Sequence, residues 1–294
     1  MRKLLALAVF ATLGGCAIIV TPNEGTHVQT MWSKGTENGN GVAARDQRAV
    51  AALPGLDVGG SLPVEVRVGP APSLLVEADS NLLPLIRTEP NGHTLRIWTE
   101  QDIRSKTPIR IVYTTPRLSE VRASGSSRVE VSDLNGAPLD VRKSGSGEVR
   151  LEGRVESLNA RASGSGVIDA ARLHSASADL DLSGSGRMTV GDVHGEYARV
   201  NVSGSGRLEA SGAVRSLNAR VSGSASVDLA GLNSQDADLG TSGSGGIRAT
   251  VKQSLIARTS GSGGIRVYGQ PAQRSLSGDR IHLLDYAPIP PGPA

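Results

Sequence analysis

The sequence predicts an all-β fold, a single-stranded parallel β-helix whose rungs are about twenty residues long. Three observations predict it. A Ser-Gly-Ser-Gly step begins at Ser124 (as Ser-Gly-Ser-Ser), Ser144, Ser163, Ser183, Ser203, Ser222 (as Ser-Gly-Ser-Ala), Ser242 and Ser260, at offsets of 20, 19, 20, 20, 19, 20 and 18 residues. Apolar residues alternate with polar ones on both sides of each step. Aromatic residues make up only 2% of the 294-residue chain, which suits a thin core of short side chains better than a thick globular one.

The alternation assigns strands. The residues one and three before each step, such as Val202 and Val200, are apolar in thirteen of sixteen cases; those five and seven after it, such as Leu208 and Ala210, are apolar in all sixteen. A period of two on both sides of a fixed turn means two strands with one face buried. The parity runs through the step, from Val200 and Val202 to Gly204, Gly206 and Leu208. It therefore predicts glycines on the inner side of a bend and serines outside. The structural turn is assigned to Gly145, Gly164, Gly184, Gly204, Gly223, Gly243 and Gly261. A twenty-residue rung has a perimeter of about 65 Å at strand rise, enough for a small three-sided coil, and eight rungs stack to about 38 Å. That period is too short for a propeller blade, and the leucine-rich repeat signature is absent.

In chain order, Arg2 and Lys3 precede the apolar run Leu4–Leu13, followed by Gly14-Gly15-Cys16. This is the anatomy of an export signal. Leu13-Gly14-Gly15-Cys16 resembles the lipobox of bacterial lipoproteins, in which Cys16 receives the lipid and becomes the new N-terminus. The competing reading is an uncleaved anchor, for which residues 4–20 are at the lower limit of length. Cys16 is the single cysteine, so no internal disulfide can form. By the same resemblance, Ala17 after the cysteine favours the outer membrane of a Gram-negative envelope. Residues 1–15 are thus read as signal peptide and 16–46 as the lipidated cysteine and a flexible tether rich in Gly, Asn, Ser and Thr. Cleavage leaves 29 basic against 28 acidic residues. That balance, without a basic patch, excludes a nucleic-acid partner. The membrane partner is reached through the lipid.

From about residue 47 short strands appear, including Val64–Val68, Leu95–Ile97 and Ile109–Tyr113, with Asn91-Gly92 as a tight turn between Ile86–Thr88 and Leu95–Ile97. Residues 48–118 form the first, atypical coils and cap, Asn81–Ile86 one short helical turn, and regular repeats fill about 119–270. Ile281–Tyr286 reads as a capping strand, and 287–294 as a stiff Pro-rich tail.

The run Val76-Glu77-Ala78-Asp79-Ser80-Asn81-Leu82-Leu83, the strand Ile111–Leu118 and the steps that follow resemble the head GIN domain family of autotransporter adhesins over about residues 47–270. The resemblance implies a right-handed β-helix over the 47–286 domain and an envelope location, and it brings no activity or site residues. The chain ends soon after the last repeat, without room for an autotransporter's membrane barrel.

No phosphate loop, nucleophile elbow or calcium nonapeptide is present. The histidines His27, His93, His174, His194 and His282 suggest no metal site, although His174 and His194 lie one rung apart and could stack. No cofactor is implied. Two residues before the step lie Arg122, Arg142, Arg161, Arg220 and Arg258, and four before it Glu120, Asp140, Asp179 and Asp238. The acids either offset repulsion among stacked arginines or help form an anionic-ligand groove or acid/base site. The expected function is a non-enzymatic envelope lipoprotein, an adhesin-like or structural module whose wall contacts a glycan or protein. The alternative is a β-helix that binds or cleaves polysaccharide.

Overall fold

The computed structural model describes residues 35–285. The signal segment, Cys16 and the Pro-rich tail lie outside these residues. The described chain is almost wholly β, with one short 3₁₀ turn at Leu83–Leu85, and none of its helices is long and apolar enough to cross a membrane. It forms one parallel β-solenoid of stacked coils.

Each regular rung has three sides. In the first, Arg128–Gly136 contains two of them, separated by a register shift between Val131 and Leu134, and Leu139–Ser144 is the third. From the fourth step onward the sides merge, so that Arg187–Gly204, Arg207–Gly223 and Ser226–Gly243 are continuous strands of 17 or 18 residues. Like residues stack on like: Val200 pairs with Leu180 below and Ala219 above, and Ser203 lies between Ser183 and Ser222. The inner columns form one continuous core, with Val200, Leu208, Ala219 and Leu239 fully buried. Every rung hides its hydrogen-bonding edges against its neighbours.

The step corrects the inside-outside reading at one of its two glycines. Both serines are exposed, and the second glycine faces inward; Gly206 is buried, as are Ser127 and Ala225 in the same position of other rungs. The first glycine is exposed and points along the stack. A Cβ on Gly204 would stand 2.6 Å from the carbonyl oxygen of Gly184 in the rung below. The seven turn glycines have φ between 85° and 106°, a region that side chains with a Cβ rarely adopt. Strand parity stops at that residue, because a left-handed backbone rotates the next positions out of the pleat. The carbonyl it exposes then accepts the N–H of the following rung, as in Ser205 N to Gly184 O at 2.9 Å.

The N-terminal coils are not stacked in chain order. Gly55–Val58 lies between Thr94–Thr99 on one side and Glu120–Ala123 on the other, all parallel. Pro63–Val68 is likewise flanked by Arg110–Thr115 and the strand beginning at Arg128. Three antiparallel pairings then close the end: Ser73–Asp79 on Arg110–Thr115, Ile86–Asn91 on Thr94–Thr99, and Ala43–Arg48 on Ser73–Asp79. The expected tether therefore stops short of residue 46, since Ala43–Arg48 belongs to the sheet and Glu37–Asn38 pairs with Ile103–Arg104. At the other end Gln273–Ser277 and Ile281–Leu284 add a last, shortened coil.

Candidate functional site

The step that turns the chain also shapes a groove. On the outer face, the residue two before the step and the first serine of the step stand on either side of an inward-facing residue, and stacking extends this profile through all eight rungs. The result is a trough of about 950 Å³. One edge carries Arg122, Arg142, Arg161, Arg220 and Arg258, and the other the first serine of every step. Its floor is made by the inner column, including Ala162, Leu182, Val202 and Val221. Six basic residues line it against two acidic ones, Asp57 and Asp181.

The acids four before the step lie outside the trough, and Glu120, Asp140 and Asp238 hold its arginines from behind, whereas Asp179 pairs with Arg199. Arg122 Nη2 is 2.6 Å from Glu120, Arg142 Nε 3.0 Å from Asp140, and Arg220 and Arg258 share Asp238 at 2.7 and 3.1 Å. Arg161 lies between rungs, 3.3 Å from Asp181 in the next and 3.8 Å from Asp140 in the one before. These pairs are half exposed, so each contributes about 1 kcal/mol or less; their effect is to fix direction. The guanidinium carries five N–H donors, and one carboxylate leaves several of them available. Burial works to raise the Glu120 carboxyl, but its hydrogen bond with His93 and the Arg122 charge outweigh this and hold it below the usual glutamate value. The arginine edge is interrupted at mid-length, where Asn201 Nδ2 donates to Asp181 at 3.1 Å.

Lys143 is the anomaly of the floor. It occupies the inner column, is only 3% exposed, and its ammonium donates to the Gly145 carbonyl at 3.1 Å. Its Nζ sits where a Cβ on Gly166 would be; Leu182 fills the corresponding space over Gly206. The inner residue of one rung thus roofs the second glycine of the next, and Lys143 does so with a charge. Burial pushes its pKa below the ordinary lysine value.

His174 and His194 do not simply stack. Asp192 lies between them, with each ring Nδ1 in contact with one of its carboxylate oxygens. These nitrogens are satisfied by the carboxylate, and no group of three or more His, Cys, Asp or Glu among the described residues is arranged to hold a metal ion.

Sequence reasoning missed the first member of the turn column. Gly60 has φ of 85°, and its carbonyl accepts the N–H of Ser126 at 2.8 Å, one coil before the first Ser-Gly-Ser step. The available signal was Gly59-Gly60 directly after Leu56 and Val58 in the same alternation. Sequence spacing also placed arginine and acid columns side by side without showing that only the arginine column borders a trough.

The chain matches the family described as "Putative auto-transporter adhesin, head GIN domain" over residues 53–194 and 170–271, most of its length. The chain belongs to the head GIN domain family. Solved structures share the architecture of this head GIN chain. A "putative lipid binding protein" from Parabacteroides distasonis is 25% identical with a TM-score of 0.67, covering 79% of this chain and 99% of its own. A "putative adhesin" from Parabacteroides merdae is 17% identical with a TM-score of 0.65, covering 85% and 99%. Another from P. distasonis is 18% identical with a TM-score of 0.63, covering 85% and 100%. The last two likenesses are of fold alone. No curated protein matches the chain significantly.

Proposed function

We propose that this chain is a non-catalytic, adhesin-like binding module of the bacterial cell envelope, held by lipid at Cys16 and using the grooved side of the solenoid as its contact face. One observation carries the reading: a trough eight rungs long, with an apolar floor between an arginine edge and a serine edge, repeats its side-chain columns in register. Such a surface offers many weak, equivalent contacts rather than one reaction centre. Membership of the head GIN family, whose description is that of an adhesin head domain, supports it.

Glycoside hydrolysis is disfavoured by geometry. Its carboxylate pairs stand about 5–9.5 Å apart across one bond. The two acids lining this trough, Asp57 and Asp181, belong to coils four rungs apart, about 19 Å at strand spacing.

Trypsin treatment of intact cells tests the reading, together with attachment of those cells to a surface. Digestion on intact cells and attachment lost in a Cys16→Ala strain are expected. Digestion only after lysis would overturn the adhesive role, and labelled fatty acid still entering the Cys16→Ala protein would overturn the anchor.

A further inference from the structure

Resting on the reading of the trough as the contact face, we propose that it takes a linear acidic polysaccharide, laid along the stacking axis with about one sugar unit per rung. Charge comes first. The edge presents guanidinium groups whose remaining donors suit planar carboxylates, and basic side chains outnumber acidic ones threefold along the lining.

Pitch comes second. Arg122, Arg142 and Arg161 pair in register on adjacent rungs, so they repeat at about 4.8 Å. An extended peptide places side chains on one face every two residues, about 6.7 Å apart, and drifts out of register within a few rungs. Each strand of a nucleic-acid duplex carries its phosphates about 3.4 Å apart along the axis, and no aromatic side chain lines the trough to stack the bases of a single strand. An extended chain of 1,4-linked pyranoses advances by nearly one rung per unit. Its screw axis returns a carboxylate to the arginine edge about every two or three units, close to a whole number of rungs, while ring hydroxyls meet the serine edge.

The interruption makes the assignment sharper. Asp181 and Asn201 divide the edge into a cluster at Arg122, Arg142 and Arg161 and a sparser one at Arg220 and Arg258. Asp181 repels a carboxylate on its own rung and also occupies Arg161. Removing its charge should therefore strengthen binding, a result that generic damage to the surface would not produce.

The experiment is calorimetric titration of the full chain with polygalacturonate, with uncharged cello-oligosaccharides and phosphatidylglycerol vesicles as comparison probes. Wild type should bind polygalacturonate, more weakly as salt rises, and neither comparison probe. Arg142→Ala and Arg161→Ala should each weaken binding about tenfold, the loss of one charge-assisted contact. Asp181→Asn should tighten it several-fold. Arg266→Ala, on an exposed residue beyond the step and outside the trough, should leave it unchanged, with circular dichroism to check that each variant is folded.

No binding of polygalacturonate, equal loss in Arg266→Ala, or weaker binding by Asp181→Asn overturns the proposal. So does vesicle binding that depends on Arg142 and Arg161 without polygalacturonate binding. If the titration fails while cells bearing the chain still attach, the ligand assignment falls and the adhesive reading stands. If the titration succeeds and such cells gain no attachment to a polygalacturonate-coated surface, the adhesive reading falls alone.

Discussion

Between residues 35 and 118 the coils are held by contacts that each occur once. Tyr113 is fully buried, and its hydroxyl donates to the Leu53 carbonyl at 2.8 Å. Asp79, also fully buried, accepts from Ser105 Oγ, Lys106 N and Thr107 Oγ1 at 2.7–2.9 Å and so fastens the outermost loop. Arg48 donates to the carbonyls of Ile86 and Leu83 at 2.6 and 2.9 Å. Between 119 and 270 the contacts recur instead: small apolar columns, a glycine column, and one carbonyl-to-amide bond per step. The difference teaches where specificity is needed. A repeating rung is determined by its neighbours, whereas a cap must close an open sheet end with strands of both directions and needs individual anchors.

Tyr113→Ala should have the largest effect. It empties a large site in the cap core and removes one of the two donors to the Leu53 carbonyl, the other being Thr115 Oγ1, costing about 3–5 kcal/mol. Denaturant unfolding of the variant measures it; a loss below about 1 kcal/mol would show that the cap is not anchored there. Gly204→Ala comes next, since its backbone strain alone costs about 1–3 kcal/mol and its methyl group meets the Gly184 carbonyl. Ser203→Ala, one residue away and exposed, should stay within about 0.5 kcal/mol. Equal melting temperatures for these two variants would remove the glycine column from the account of the rungs.

Lys143→Met should raise stability by about 1–2 kcal/mol, because an unpaired buried charge gives way to a side chain of the column's own kind. The folded pKa of Lys143 lies below its unfolded value of 10.5, so the unfolded chain holds the proton more tightly. The charged form is therefore penalised fully below the folded pKa, and the advantage of Met fades as pH rises toward 10.5. A gain that does not shrink between pH 7 and 10 would contradict this.

The smallest effect is local and acidic. Burial works to raise Asp79, yet its three donors hold it below its unfolded value of 3.8; Glu65, hydrogen-bonded by Arg110, lies below 4.5. Their stabilisation is present above those unfolded values and is lost as pH falls through the lower folded ones. Hydrogen exchange, corrected for intrinsic rates, should show residues 37–38 and 103–107 losing protection at pH 3 before 187–243 does. Uniform loss would erase the distinction between cap and rungs.

The rungs were legible in the sequence because each inner position was sampled eight times. Lys143 and Thr241 could then be recognised as exceptions within an apolar column, and both are buried. The Asn91-Gly92 turn was legible as a local signal, and Gly92 has φ of 62°. The order of the first coils was not, since nothing in Gly55–Val58 says that its two neighbours begin near residues 94 and 120. The direction of the first glycine was missed because strand parity assumes extended backbone throughout, and a positive φ breaks it. The trough was half visible: residue columns give its edges, but concavity belongs to the corner.

Because each rung contacts only its neighbours, copy number is a free variable of this architecture. Splicing Leu182 directly to Ser203 would remove one whole unit of 20 residues and restore the same junction, Leu-Ser-Gly-Ser. Units of 18 to 20 residues already coexist, the slack being taken up away from the step. Duplication or deletion of whole units in the gene therefore lengthens or shortens the molecule as a ruler is lengthened or cut, without redesigning its ends.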